Sequence, residues 1–152
     1  MIPAKVQTLL DQHDLKALEF EPGSTPTSEL AAAKIGCSVG QIAKSMLFKG
    51  KDGLFRLVVC PGDKRVHNKK LKRVLGVNAR MATAEETEAQ TGFRPGAVCP
   101  FGVNDIERFI DIGLQQYETI YPAAGTDASG VPVTYDTLKE IIGALECDIM
   151  QE

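Results

Sequence analysis

The sequence predicts an α+β fold built on a mixed sheet. Helical and strand-like segments interleave irregularly, which argues against a strictly alternating, doubly wound parallel sheet. The turn Gly50-Lys51-Asp52-Gly53 joins two strand-like runs as a hairpin. A chain of 152 residues with 43% hydrophobic content is long and apolar enough for one core. No linker, repeat or low-complexity tract divides it, so residues 1–152 read as one domain.

The elements follow in order. Residues 3–13 have a helical stripe of Val6, Leu9 and Leu10, with Pro3 tolerated in the first turn. Residues 15–20 read as a short strand, and 22–26 as a Pro/Gly loop. Thr27 caps a second helix that runs to Ile35 and stops at Gly36. Ser38 and Gln41 have capping-box spacing. Strands follow at 42–48 and 54–60, and Pro61-Gly62-Asp63 ends the second. Residues 68–75 form a basic helix closed by Gly76, and 78–81 a short strand. Thr83 and Glu86 make a capping box that opens a helix to Thr91, closed by Gly92. Strands are predicted at 108–114, 118–123 and 131–134, with a final helix over 135–145.

Composition excludes several classes. No apolar run approaches a membrane span, and Met1-Ile2-Pro3-Ala4-Lys5 lacks a signal-peptide core; the expected location is cytoplasmic. Cys37, Cys60, Cys99 and Cys147 form no CxxC pair, and His13 and His67 are the only histidines, so a zinc site is not expected. With no Trp and few aromatics, there is no platform for stacking several bases. Charge is uneven. Residues 62–73 carry Lys64, Arg65, Lys69, Lys70, Lys72 and Arg73 against Asp63 alone, within a chain of net charge −3. A basic segment on an acidic body suits either an anionic backbone or a solvated helix face.

Two features carry candidate chemistry. Gly96-Ala97-Val98-Cys99-Pro100-Phe101-Gly102 is apolar yet holds two glycines and a proline, so it reads as a fixed loop. Its bare amides can face a carbonyl or phosphate oxygen, or it can be a plain connection. In the first hairpin strand, period two places Ile42, Lys44, Met46 and Phe48 on one face. A lysine there needs an anion or a route to solvent. Cys99 with His67 as base is an alternative nucleophilic pair, though no third group orients the histidine. Asp105, Glu107 and Asp111 are not spaced as an acid–base pair.

Taken together, these segments resemble the YbaK/ProX family of aminoacyl-tRNA editing domains, which is related to the insertion domain of bacterial prolyl-tRNA synthetases. The resemblance covers Ser28-Glu29-Leu30-Ala31-Ala32, Gln41 through Phe48, Val59-Cys60-Pro61-Gly62-Asp63-Lys64-Arg65, Gly96 through Gly102, and Ala124-Gly125. It implies a barrel-like mixed sheet with surrounding helices, and hydrolysis of the ester in a mischarged tRNA. The expected substrate is a proline tRNA carrying cysteine or alanine, with no metal or organic cofactor. Prolyl-tRNA synthetase is the expected protein partner. Lys44 matches the family lysine that holds the terminal adenosine, and Gly96 to Pro100 the family Gly-x-x-x-Pro loop. Lys44, Gly96 and Pro100 are thus the implied catalytic positions. Ala97, Val98, Cys99, Phe101, Gly102 and Gly125 are the implied substrate contacts. Charge adds Lys64, Arg65, Lys69 and Lys70 as expected tRNA contacts.

The chain departs from its relatives in the late loop. Thr126-Asp127 follows Ala124-Gly125 where cysteine-removing relatives often carry a basic pair. No histidine follows His67, unlike several alanine-removing relatives. A non-catalytic module that binds a tRNA end or a protein through the same residues is the competing reading.

Overall fold

A computed structural model describes all of residues 1–152. Its centre is the hairpin β2 (Ala43–Gly50) and β3 (Phe55–Pro61), antiparallel with Lys44 opposite Cys60. β3 also pairs in parallel with β5 (Glu107–Asp111), and β5 with β7 (Leu145–Cys147). The short β4 (Ala79–Met81) joins the far end of β2, giving the mixed order β4-β2-β3-β5-β7. A separate two-residue ladder pairs β1 (Leu18–Glu19) with β6 (Ser129–Gly130). Isolated bridges Ile42–Tyr121 and Ile120–Val133 carry pairing past the edge of β2.

β3 is apolar on consecutive residues because both sheet faces are covered. Leu57 and Val59 enter the larger core with Ile110, Leu114 and Phe101. Val58 and Cys60 enter a second core with Phe48, Leu71 and Ile149. Helix α1 (Ala4–Gln12) adds Val6 and Leu10 to the larger core, and α5 (Tyr135–Ile142) adds Leu138 and Ile142. Helix α3 (Asn68–Leu75) covers the second through Leu71. Each fully buried leucine contributes about 1.5–3 kcal/mol.

The caps form as their residues dictate. Thr27 Oγ1 accepts from Leu30 N–H at 3.2 Å to start α2 (Ser28–Ile35). Thr83 Oγ1 accepts from Glu86 N–H at 3.1 Å, and Glu86 Oε1 accepts from Thr83 N–H at 2.9 Å, opening α4 (Ala84–Thr91). His67 caps α3, its Nδ1 accepting from Lys70 N–H at 3.3 Å.

Five expected elements differ. The strand expected over 15–20 is confined to Leu18–Glu19. The strand expected over 108–114 ends at Asp111, whose carboxylate accepts from Gly113 N–H at 2.8 Å and turns the chain into a 3₁₀ turn, Ile112–Gln116. Residues 118–123 and 131–134 make single bridges in place of strands. The last helix stops at Ile142 because Gly143 is left-handed, φ +62°. The chain then forms β7, whose first residue falls within the helix expected over 135–145.

Candidate active site

A cleft of about 510 Å³ opens between β2, the start of α2 and the loop at Gly96. Its walls are mostly apolar, including Ala31, Ile35, Ile42 and Val98. The polar lining is neutral, with Thr25, Thr27, Ser45 and Ser129 among it, and Lys44 is the one charged side chain. No carboxylate or histidine lines it. Three of the hydroxyls are engaged. Thr27 caps α2. Thr25 Oγ1 accepts from Ser129 N–H at 3.1 Å, and Ser129 Oγ accepts from Ala124 N–H at 3.0 Å. These bonds tie the 124–129 loop to the 22–26 loop and fix one wall.

A smaller cleft, about 280 Å³, adjoins the first and shares Lys44, Met46 and Met81 with it. Its charged residues are all cations: Lys44, Lys64, Arg65 and Arg80. β2 explains the junction. Lys44, Met46 and Phe48 share the face whose far end, Phe48, is buried in the second core, while Ala43 and Leu47 enter the larger core. The half-buried Lys44 stem therefore lies on that face and its charge stands where both clefts meet. Arg80 is held by Glu86 through bonds of 2.8 and 3.0 Å. That pairing, with the Thr83 amide, holds the Glu86 carboxyl well below the usual carboxylate range.

The segment Pro61-Gly62-Asp63 positions the cations that follow it. A Cβ at Gly62 would stand 2.7 Å from Ser28 Cβ and 2.7 Å from the Val39 carbonyl, so only glycine lets β3 end against α2. Beyond it the C-terminal residues clip the basic segment. Gln151 N–H donates to Arg65 O at 2.7 Å, and His67 N–H to Ile149 O at 2.7 Å. Ile149 N–H in turn donates to the buried Asp111 carboxylate at 2.9 Å. Burial raises the Asp111 pKa, and the Ile149 and Gly113 amides oppose that rise.

The chain matches the aminoacyl-tRNA editing domain over residues 22–141. It belongs to that family. An uncharacterized protein, YwhH, of Bacillus subtilis is 41% identical over 123 residues, 80% of this chain and 78% of that one. A proline–tRNA ligase of Bacillus licheniformis is 39% identical over 108 residues, 69% of this chain but 19% of the ligase. The chain thus spans about a fifth of that relative. A solved structure described as a candidate trans-editing enzyme for prolyl tRNA synthetase superposes with a TM-score of 0.88 at 34% identity, covering 97% of this chain and 96% of that one. Another, the hypothetical protein APE2540, gives 0.89 at 27% identity, covering 97% and 99%. The activity of this editing domain is deacylation of aminoacyl-tRNA.

Within the editing domain, the expected site residues fall into two groups. Lys44, Gly96 and Val98 line the larger cleft; Lys64 and Arg65 line the smaller. Pro100 is buried, and the side chains of Cys99 and Phe101 are fully so, in the larger core. Neither cleft is lined by Ala97, Gly102 or Gly125. Of residues 96–102, only Gly96 and Val98 line the cleft, because Cys99 and Phe101 draw the second half inward. Ala97 N–H is spent locally, donating to Arg94 O at 2.9 Å. Gly125, φ +86°, packs on Phe93 and Pro3. Lys69 lies exposed outside both clefts, and Lys70 bonds Asp148 at 3.4 Å and the Met150 carbonyl at 3.0 Å.

Burial pushes the Cys99 thiol up to about 12, and its Sγ lies 3.7 Å from the Phe101 carbonyl. A thiol so protonated and enclosed is not a nucleophile, and His67 is occupied as a helix cap. That overturns the cysteine-hydrolase alternative. The sequence reading missed Arg80, Ser45, Thr25 and Ser129. Arg80 and Ser45 stood in predicted strands, but no pattern marked which cation or hydroxyl would face a cleft.

Proposed function

We propose that this editing domain acts in trans on proline tRNA mischarged with cysteine or alanine. The observation that carries this reading is the pair of clefts: a neutral pocket of limited volume joined at Lys44 to a cationic one. An aminoacyl-tRNA end has the same division, a small uncharged ester-linked group beside a phosphate chain. Lys44 anchors the phosphate of the terminal nucleotide as a point charge. Lys64 and Arg65, with Arg80, hold the phosphates before it. The Gly96 turn borders the aminoacyl group, with Pro100 buried behind it, and the apolar walls limit the size of its side chain.

The ester is already activated, so positioning and support of the developing oxyanion suffice for hydrolysis. Water adds to the carbonyl carbon, the bond to the ribose oxygen breaks, and a proton passes to that oxygen. Free amino acid and intact tRNA leave. The proline–tRNA ligase relatives support proline tRNA as the substrate and the synthetase as a partner.

The test is release of labelled amino acid from cysteinyl-, alanyl- and prolyl-tRNA(Pro), with wild type and Lys44→Ala. The expected result is lysine-dependent release of a wrong amino acid with prolyl-tRNA spared. No release from either mischarged tRNA overturns the substrate assignment.

A further inference from the structure

The outer edge of β2 carries backbone groups that nothing in the protein uses. The phase of the β2–β3 ladder is fixed at both ends. Gly50 N–H donates to Leu54 O, and Gly62 N–H to Ile42 O, each at 2.9 Å. Even-numbered residues of β2 therefore direct their backbone groups to β3, and odd-numbered ones away from it. On the outward side, Ala43 N–H donates to Tyr121 O at 3.1 Å, and Leu47 O accepts from Ala82 N–H at 2.9 Å. Between these two clamps, the Ala43 carbonyl, the N–H and carbonyl of Ser45, and the Leu47 N–H have no protein partner. Ser45 Oγ, buried beside them, has none either. Ala43 and Leu47 are 2% and 4% exposed, and all three residues line the larger cleft. Orphaned groups in such a place are rare and costly. Their clustering on one wall of one cleft points to a ligand that completes them.

We propose that this edge is the subsite for the α-ammonium group of the aminoacyl ester, accepted by the Ala43 and Ser45 carbonyls and by Ser45 Oγ. The inference rests on the reading that the cleft holds an aminoacyl ester. An ammonium brings three donors and no acceptor. The cleft offers it no carboxylate, and its one charged side chain, Lys44, has the same sign. Neutral oxygens must therefore hold it. The Thr25, Thr27 and Ser129 hydroxyls are engaged elsewhere, whereas the three oxygens of the β2 edge are free. The Ser45 and Leu47 amides remain as donors for the ester or ribose oxygens. The Gly96 turn stands on another wall of the same cleft, so the aminoacyl group lies between loop and strand.

The experiment changes one atom of the substrate. Alanyl-tRNA(Pro) and its deaminated α-hydroxy counterpart, lactyl-tRNA(Pro), are given to wild type and to Ser45→Ala. Each kcat/KM is divided by the spontaneous hydrolysis rate of the same ester. If cysteine is the amino acid released, the cysteinyl ester and its 2-hydroxy-3-sulfanylpropanoyl counterpart replace them. The wild type is expected to lose about tenfold or more on the α-hydroxy ester, the loss of a hydrogen bond to a charged group. Ser45→Ala is expected to slow the aminoacyl ester several-fold and the α-hydroxy ester by a smaller factor, with an equal or higher Tm. Equal normalised rates on the two esters overturn the subsite. So does a Ser45→Ala loss that is the same on both. Failure to release any amino acid is a separate result: it removes the substrate reading, and the subsite with it.

Discussion

The two clefts differ in what they demand of a ligand. The larger is mostly apolar, and apart from Lys44 its polar lining is neutral, with Thr25 and Ser129 fixed by hydrogen bonds. The smaller is cationic, and its charges sit on a long-stemmed lysine and two arginines beside Lys44. Neutral walls discriminate shape at modest energy, whereas charges supply affinity without reading what lies beyond the phosphate. On the proposed function, selection of the amino acid belongs to one cleft and retention of the tRNA to the other. Lys44 is the residue common to both claims.

Removing that common residue is the strongest way to break the comparison. Lys44→Ala is expected to lower kcat/KM for deacylation by about 100-fold, on the scale of losing a charged anchor. The fold should persist, because Lys44 is only half-buried and caps nothing; circular dichroism and Tm check this. A variant with near wild-type turnover would separate the clefts.

Next in size is the cationic cleft alone. Lys64→Ala with Arg65→Ala is expected to weaken tRNA binding about tenfold at low salt. It should flatten the salt dependence by about 1.4 in slope, for two contacts to a single-stranded end. Turnover at saturating tRNA should be nearly unchanged. A fall in kcat without a change in slope would place these residues in the chemistry instead.

Glu86→Gln sharpens the comparison in the opposite sense. It releases Arg80 from its bidentate clamp, so tRNA binding at low salt should tighten by a small factor. Stability should fall at neutral pH, since the cap of α4 loses its charge. The Glu86 pKa is depressed in the folded state, so its contribution is present above the ordinary glutamate value of 4.5 and is lost as pH falls toward the folded-state value. Urea midpoints of wild type and variant should therefore converge as pH drops from 7 toward 3. Parallel curves would show that the ion pair contributes nothing.

The smallest expected effect is Cys99→Ala. Turnover should be unchanged, and stability should fall by about 1 kcal/mol for a small cavity in the core. Loss of turnover with an unchanged Tm would reopen the thiol chemistry that burial argues against.

Much of this architecture was legible in the sequence because the signals were local. Thr27, Thr83, Gly36, Gly76 and Gly92 mark helix ends by their own chemistry, and each does so in the structure. The hairpin and Lys44 on the face shared with Met46 and Phe48 followed from a turn and a period of two. What was not legible was non-local. β7 is three residues long and exists because β5 offers it a parallel edge. Whether Cys99 or Val98 faces the cleft depends on how the loop meets the core, which no spacing encodes. Nothing in the sequence distinguishes Ser45 from another strand serine; the phase of the ladder sets it on an edge without a partner.

That edge also bears on solubility. An open strand rimmed by Ile42, Met46, Leu47 and Phe48 is a template on which a second chain can add a strand. In the folded protein, α2 and the Gly96 turn line the same cleft and flank this edge. A substitution that lifts α2 away, such as Gly62→Ala pushing on Ser28, would therefore do more than weaken packing. It would uncover an aggregation seed, so such variants should be lost as insoluble protein before their catalytic defect can be read.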